Sequence, residues 1–152
     1  MEAFAAWVEA SALGHAARGG DWTYPVANLV HLLGLALLIG PIGIVDLRVA
    51  GAFRTLPLGP LARALTPLAV GGLVLLGLSG TVLFSADART LIHSPLLRAK
   101  LLLILIALAN ALAFRLLWRG EEPVPKLLRT MAVASIGLWL TVATVGRLIA
   151  YR

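Results

Sequence analysis

Long uninterrupted runs of apolar residues dominate the hydropathy pattern of the chain. Four of these runs are each long enough to cross a bilayer as a helix, which takes about 20 apolar residues. They lie at about residues 26–45, 65–84, 96–118 and 127–150. Irregular backbone cannot lie exposed in hydrocarbon, because its polar groups would have no hydrogen-bond partners. The pattern therefore predicts four membrane-spanning α-helices.

Polar segments that contain proline or glycine separate the four apolar runs. They cover residues 46–64, 85–95 and 119–126. Proline removes a backbone donor and glycine relaxes φ, so both residues favour turns at these places. Short connections between successive spans predict an all-α fold, an up-down four-helix membrane bundle that forms a single domain over residues 1–152.

The first 17 residues have a different periodicity, in which the same helical face recurs at i, i+3, i+4 and i+7. The pattern predicts a short amphipathic helix over residues 1–17 that lies on the membrane interface with its aromatic face towards lipid. No basic segment precedes an apolar stretch, so we expect no cleavable signal peptide. The residues on the predicted face are Phe4, Trp7, Val8, Ser11, Ala12 and His15.

The composition agrees with an integral membrane protein. Of the 152 residues, 60% are hydrophobic and 13% are charged, whereas soluble domains average about 45–50% and about 25%. Four spans leave too little chain for a large enzyme domain outside the membrane. The formal net charge of +6 is typical of loops beside membrane spans, so we expect the lipid bilayer as partner and no nucleic acid.

The distribution of basic residues predicts the orientation. An even number of spans places both termini on one side, here called side A, together with the turn at 85–95; side B holds the other two loops. Side B has seven basic residues and side A has six, which favours a cytoplasmic side B in a bacterial inner membrane and external termini. The side B residues are Arg48, Arg54, Arg63, Arg115, Arg119, Lys126 and Arg129, and those of side A are Arg18, Arg89, Arg98, Lys100, Arg147 and Arg152.

The chain contains no cysteine. This excludes disulfides, thiolate metal sites, iron–sulfur clusters and covalently attached haem, so only noncovalent cofactors are open. Phosphate-binding glycine loops, HExxH segments and nucleophile-elbow sequences are also missing, which gives soluble-type kinase or hydrolase chemistry no support.

Polar groups within a membrane span are costly and normally face protein or a cavity. The first predicted span carries Asn28 and His31, and the third carries Lys100 and Asn110. Lys100 can extend to the interface, so its alternative role is that of a topological anchor.

The fourth span carries Thr141 and Thr144 and ends near Arg147. Threonine in a membrane helix usually bonds to its own backbone, which makes helix packing the expected role of this stripe.

The three histidines, His15, His31 and His93, all belong to side A or its leaflet. Imidazole ligates haem iron and copper, so we identify them as candidate cofactor ligands, with His31 as the candidate metal ligand. Noncovalent haem b held by His31 with His93 or His15 is one hypothesis, and a copper site is a second. The chain has only two methionines, which weakens a soft Cu(I) site. The alternative roles are a solvated turn for His93 and an interfacial position for His15.

Asp46 closes the first predicted span, where the helix dipole disfavours a negative charge. We expect a nearby cation such as Arg48, Arg63, Arg115 or Arg119 to compensate it. Asp46 and Arg48 are therefore interpreted as a structural ion-pair lock rather than as catalytic groups.

Three sequence runs resemble a family of uncharacterised bacterial four-helix membrane proteins. They are YPxxxxxHLLGLALLIG leading into DLRVAG, then LARALTPLAVGGLVLLGLSGTVLF, and SPLLRAKLLLILIALANA. The resemblance covers most of residues 22–118.

A more distant resemblance is to the membrane domain of CopD-type copper-resistance proteins. It rests on His31 with Gly34, on Ser79 with Gly80, and on Lys100. This resemblance implies a compact bundle similar to b-type membrane cytochromes and copper-handling modules. The chain departs from that pattern, since it has no Met-rich segment and no paired histidines on facing spans.

Three functions follow as hypotheses. The first is a small b-type haem-binding electron-transfer module with His31 near the external face. The second is a CopD-like copper-handling module. The third is an accessory subunit without catalysis, whose small-residue faces bind another membrane protein or a second copy of the chain.

Overall fold

The computed structural model describes residues 2–120, 123–149 and 151, and this part of the chain is helical without any strand. The predicted all-α class is confirmed. The predicted loop residues Glu121 and Glu122, and the chain ends at Ala150 and Arg152, lie outside the described residues. The seven helices are α1 (Glu2–Ala10), α2 (Ala12–Gly19), α3 (Thr23–Ala50), α4 (Leu58–Ala86), α5 (Ala88–His93), α6 (Pro95–Leu117) and α7 (Lys126–Ile149).

Four helices, α3, α4, α6 and α7, are long and apolar enough to cross a membrane. The chain is therefore a multi-pass membrane protein whose apolar helix surfaces contact the lipid bilayer. They correspond to the four predicted spans. Which membrane holds the protein and which way it faces remain predictions.

The first two spans are longer than predicted, and the connection between them is shorter. Gly51 ends α3 with φ 118°, a left-handed conformation that favours glycine. Its N–H donates to the Leu47 carbonyl at 3.1 Å. Pro57 precedes α4, and Pro60 lies in its first turn, where a missing N–H costs nothing because no helical partner exists there. The predicted connection at 46–64 thus contracts to residues 51–57.

The N-terminal segment forms two helices where the sequence predicts one over residues 1–17. The break lies at Ser11, whose side chain accepts a hydrogen bond from the Gly14 N–H at 3.2 Å and caps α2. A Cβ at Gly14 would lie 2.4 Å from the Glu9 carbonyl oxygen, so the sharp turn requires glycine at that position. Met1 lies outside the described residues, and the interfacial location of the segment remains a prediction.

The side A connection at 85–95 is more ordered than predicted, because it contains α5. Helix α1 packs against α5, and α2 packs against α4. Ser85 and Ala88, at this junction, are both 0% exposed. The short helices therefore cover the side A end of α4.

Two apolar clusters hold the bundle together. The first lies at the side B end and consists of Val45, Val49, Leu58, Val124, Leu128 and Ala132. The second lies deeper in the bundle and joins all four long helices through Leu38, Ala69, Ala107, Trp139 and Val142. Trp139 is the only aromatic residue among the buried members of these two clusters, so it fills much of the space between the helices.

Candidate functional site

The candidate site is built around His31, which lies eight residues into α3 and is half-buried. At about 1.5 Å per residue this is about 12 Å from the side A end of the helix. Its Nδ1 atom lies 2.9 Å from the hydroxyl oxygen of Ser79 on α4. The Ser79 hydroxyl also donates to the Leu75 carbonyl, one helical turn earlier.

This hydrogen-bond chain assigns the tautomer of His31. A serine hydroxyl has one proton, and here that proton is directed to the Leu75 carbonyl. The Ser79 oxygen therefore accepts from His31, which places the ring proton on Nδ1 and the lone pair on Nε2. No described residue forms a hydrogen bond with Nε2. The ring is thus oriented by one nitrogen and available for a ligand at the other, as in many metal-binding histidines.

Glycine makes room for the imidazole against α4. A Cβ built at Gly80 would lie 3.4 Å from His31 Cε1, so the ring rests close to the α4 backbone. Ser79 itself is only 4% exposed. The close approach of α3 and α4 therefore determines both the position and the hydrogen bond of the imidazole.

Lys100 brings a positive charge to the same end of the bundle. It lies in the second turn of α6, and its side chain crosses the α7 backbone, where a Cβ at Gly146 would be 3.1 Å from Nζ. The Lys100 ammonium interacts electrostatically with the His31 imidazole. Among the described residues it forms no ion pair or hydrogen bond. The sequence predicts an interfacial anchor for Lys100, and the structure adds its proximity to His31.

The resulting arrangement gathers groups from all four long helices. His31 comes from α3, Ser79 and Gly80 from α4, Lys100 from α6 and Gly146 from α7. An ammonium group in a low-dielectric region attracts anions and repels cations more strongly than it would in water. The site can therefore combine a neutral nitrogen ligand with a cation that pairs with an acidic group.

The other two histidines have different surroundings. His93 Nε2 lies 2.9 Å from Glu2 Oε1 at the exposed surface between α5 and α1. His15 is exposed on α2. Within residues 2–120, 123–149 and 151, no three histidine, aspartate or glutamate side chains are grouped so that they could hold a metal ion. The ligand roles predicted for His93 and His15 remain predictions without a shared site.

Asp46 is buried near the side B end of α3, at 6% exposed. The Ser135 hydroxyl on α7 lies beside this carboxyl group, and the Asp46 Oδ2 atom is buried without a hydrogen-bond partner among the described residues. Within the part of the chain that the structure describes, this carboxyl has a hydroxyl neighbour and forms no ion pair with one of the expected cations. Arg48 is also buried, and its Nε donates to the Leu56 carbonyl at 2.6 Å, which fastens the loop after α3.

The other polar residues predicted from the sequence connect helices, bond to a neighbouring side chain or lie exposed. The Asn110 amide donates to the Met131 carbonyl at 3.1 Å and joins α6 to α7. Asn28 is exposed on α3. The Arg147 guanidinium donates to the Tyr151 hydroxyl at 2.7 Å and lies 4.8 Å from the centre of that ring.

The threonine stripe of α7 bonds to its own helix, as the sequence predicts. Thr141 donates to the Gly137 carbonyl at 2.7 Å, and Thr144 donates to the Leu140 carbonyl at 2.9 Å. Both residues are exposed. The predicted backbone hydrogen bonds are therefore present, and the role of the stripe in helix packing stays a prediction.

Gly146 and Ser135 are not among the residues predicted from the sequence. Ser135 shares the buried face of α7 with Ala132, Trp139 and Val142, a spacing that marks it as inward-facing. Gly146, next to Arg147, leaves room on α7 for the Lys100 side chain. The sequence does not show that α6 packs beside α7 at this point. Of these two residues, only Ser135 could have been found from the sequence, by its helical spacing from other inward-facing residues.

Comparison with known proteins identifies the family of the chain but assigns no function to it. No curated protein and no solved structure matches the chain, so the likeness to CopD-type domains remains a prediction. The expectation of an uncharacterised family is confirmed. The chain belongs to the family of unknown function DUF6644, whose family model matches residues 4–152.

Proposed function

We propose that the protein is a b-type haem-binding membrane protein in which His31 provides an axial ligand through Nε2. One observation carries the proposal: the histidine is fixed by Ser79 through Nδ1 and has no hydrogen-bond partner at Nε2 among the described residues. A membrane-embedded imidazole oriented in this way is typical of a ligand position. When bound, the iron would supply a one-electron redox couple.

Lys100 favours haem over copper at this position. A copper ion needs several protein ligands, and the described residues contain no group of three His, Asp or Glu side chains suited to a metal. The Lys100 ammonium would repel a second cation but would attract a carboxylate. Haem needs only one or two protein ligands and carries two carboxylates, so both His31 and Lys100 have a role in holding it.

The first experiment is an absorption spectrum of the protein purified from haem-replete cells. We expect a Soret band at close to one haem per chain, and its loss in His31→Ala. The control is Leu29→Ala, which shortens a side chain that is 67% exposed on the same helix and should leave the spectrum unchanged. Colourless unaltered protein, or a Soret band that survives in His31→Ala, contradicts the proposal.

We also propose that the protein lies in a bacterial inner membrane with side A external. The support is the small excess of basic residues on side B. Because the chain lacks cysteine, a single cysteine at exposed Thr90 or at exposed Thr55 reports one side each. A membrane-impermeant maleimide should label Thr90→Cys in intact cells and should label Thr55→Cys only after lysis. The reverse pattern would invert the orientation.

A further inference from the structure

One edge of the four-helix bundle is wider than the other three. Cα atoms approach within 8 Å between α3 and α4, between α3 and α7, and between α6 and α7. Among these fully described helices, no Cα of α4 comes within 8 Å of a Cα of α6. The helices therefore stand in the order α4, α3, α7, α6, and the edge from α4 to α6 remains open at the backbone level.

Large side chains fill the middle of this wide edge. Leu73 and Leu76 extend from α4, and Leu103, Ile104 and Leu108 extend from α6, all against the cluster that contains Trp139. One turn nearer to side A the residues of α4 become Gly77 and Gly80. A Cβ at Gly77 would meet nothing within 4 Å. Gly77 and Gly80 thus leave about one turn of this face without a large side chain, between Leu73 and Phe84.

The opening lies beside the His31 site. Gly77 stacks on the same side of α4 as Leu73 and Gly80, which are four residues before it and three after it. Gly80 contacts the His31 ring, and Lys100 belongs to α6, on the other side of the opening. A molecule that entered between α4 and α6 from the lipid would therefore meet both His31 and Lys100.

The aqueous end of α4 is covered. Helix α2 packs against it, and the Arg18 guanidinium donates to the Ser85 and Ala86 carbonyls at 3.5 and 3.4 Å. Ser85 is 0% exposed. Access from water above α4 is thus obstructed, whereas Gly77 is exposed within the membrane-spanning part of α4.

We propose that the ligand enters the His31–Lys100 site from the bilayer through the gap between α4 and α6. This inference rests on the proposed function and specifies its ligand as a tetrapyrrole that partitions into the membrane and carries carboxylates. The unpaired Lys100 ammonium complements such a carboxylate, and the apolar residues beside the gap match the apolar faces of the macrocycle. A lipid tail or a second copy of the chain in the gap would compete with this occupant.

Two glycines of α4 allow a matched test. Gly77 and Gly71 are both exposed, and a Cβ at either position meets nothing. Gly72 contacts α3, and at about 100° per residue Gly77 and Gly71 lie on opposite sides of that contact. Gly77→Phe should obstruct the gap, whereas Gly71→Phe adds the same side chain to a lipid-facing surface away from it.

The probe is haemin carried in phosphatidylcholine donor vesicles and mixed with haem-free protein in acceptor vesicles. The growth of the Soret band gives the rate of uptake. We expect Gly77→Phe to slow uptake about tenfold relative to the unaltered protein, and Gly71→Phe to leave the rate within about twofold. Circular dichroism verifies that both variants are folded.

A second variant covers the case in which Gly77→Phe does not fold. Gly77→Cys can be folded first, modified with benzyl methanethiosulfonate in detergent, and restored with a reducing agent. Uptake should slow after modification and recover after reduction, with Gly71→Cys unaffected.

The outcomes separate the two proposals. Uptake by the unaltered protein at a rate that neither Gly77 variant changes overturns entry through the gap and leaves haem binding in place. Equal slowing at Gly71 also overturns it, because the effect would then be unspecific. If the unaltered protein takes up no haemin, both proposals fail.

Discussion

Helix α4 has two neighbours that it meets in opposite ways. Towards α3 the backbones touch: a Cβ at Gly72 would lie 2.6 Å from the Leu38 nitrogen and 2.7 Å from the Gly34 carbonyl oxygen. Towards α6 no backbone contact exists, and a Cβ at Gly77 would meet nothing within 4 Å. The same residue type therefore provides close packing on one side of α4 and empty space on the other.

The difference has a physical cause in lipid. Apolar side chains gain little by moving from hydrocarbon into a bundle, so helices associate where small residues allow dense van der Waals contact. The pair Gly34 and Gly72 supplies that contact between α3 and α4. The wide edge depends instead on large side chains that span it, and on α4 these are missing at Gly77 and Gly80. We infer that the first region confers stability and the second confers access.

The largest loss of stability is expected for Gly72→Leu, which disrupts the close contact between α3 and α4. The added side chain would meet backbone atoms of α3, which cannot rotate away. We expect a loss of more than about 3 kcal/mol in the free energy of unfolding, or no folded protein at all. Denaturation in mixed micelles, followed by circular dichroism, measures it.

The control for this prediction is the adjacent Gly71→Leu. Gly71 is exposed and has open space around its Cα, so this variant should unfold within about 0.5 kcal/mol of the unaltered protein. Equal stability of Gly72→Leu and Gly71→Leu would contradict the assignment of the α3–α4 interface as the stabilising contact.

The sequence alone predicts the elements that follow from hydropathy. Apolar runs identify the four spans, and their alternating direction places His31, Ser79 and Lys100 in the same leaflet. The hydrogen bond from His31 to Ser79 joins residues 48 positions apart, and it depends on how closely α3 approaches α4. That distance is determined by packing at Gly34 and Gly72, which looks in the sequence like the other glycines of these spans.

The order of the helices around the bundle is also hidden in the sequence. The number of spans and the lengths of the loops do not determine how close α6 comes to α4. That distance depends on the volumes of the side chains between the two helices. The break at Ser11 was missed for a related reason. The helical periodicity of residues 4–15 continues through the turn, and only the short distance between Gly14 and the Glu9 carbonyl reveals it.

A smaller effect is expected for Trp139→Ala, which tests the filled part of the wide edge. Trp139 is 4% exposed and packs with small neighbours, Ala69 on α4 and Ala107 on α6. Its indole therefore fills the space between the helices that the small alanine side chains do not occupy. Removal should cost about 3 kcal/mol of unfolding free energy, as for other buried aromatic residues, because the neighbours cannot collapse fully into the cavity. The next residue, Leu140, is 54% exposed, and Leu140→Ala should cost little.

Trp139→Ala also tests whether the stability of the bundle and the entry of the ligand depend on different regions. If side chains close the middle of the edge and the entrance lies at Gly77 and Gly80, Trp139→Ala weakens the bundle without obstructing the entrance. Haemin uptake from donor vesicles should then be as fast as in the unaltered protein or faster, although the protein unfolds more readily. Gly77→Phe should show the opposite combination, slow uptake with nearly unchanged stability. Slower uptake in Trp139→Ala would mean that the entrance depends on the packed core and is not a separate feature of the wide edge.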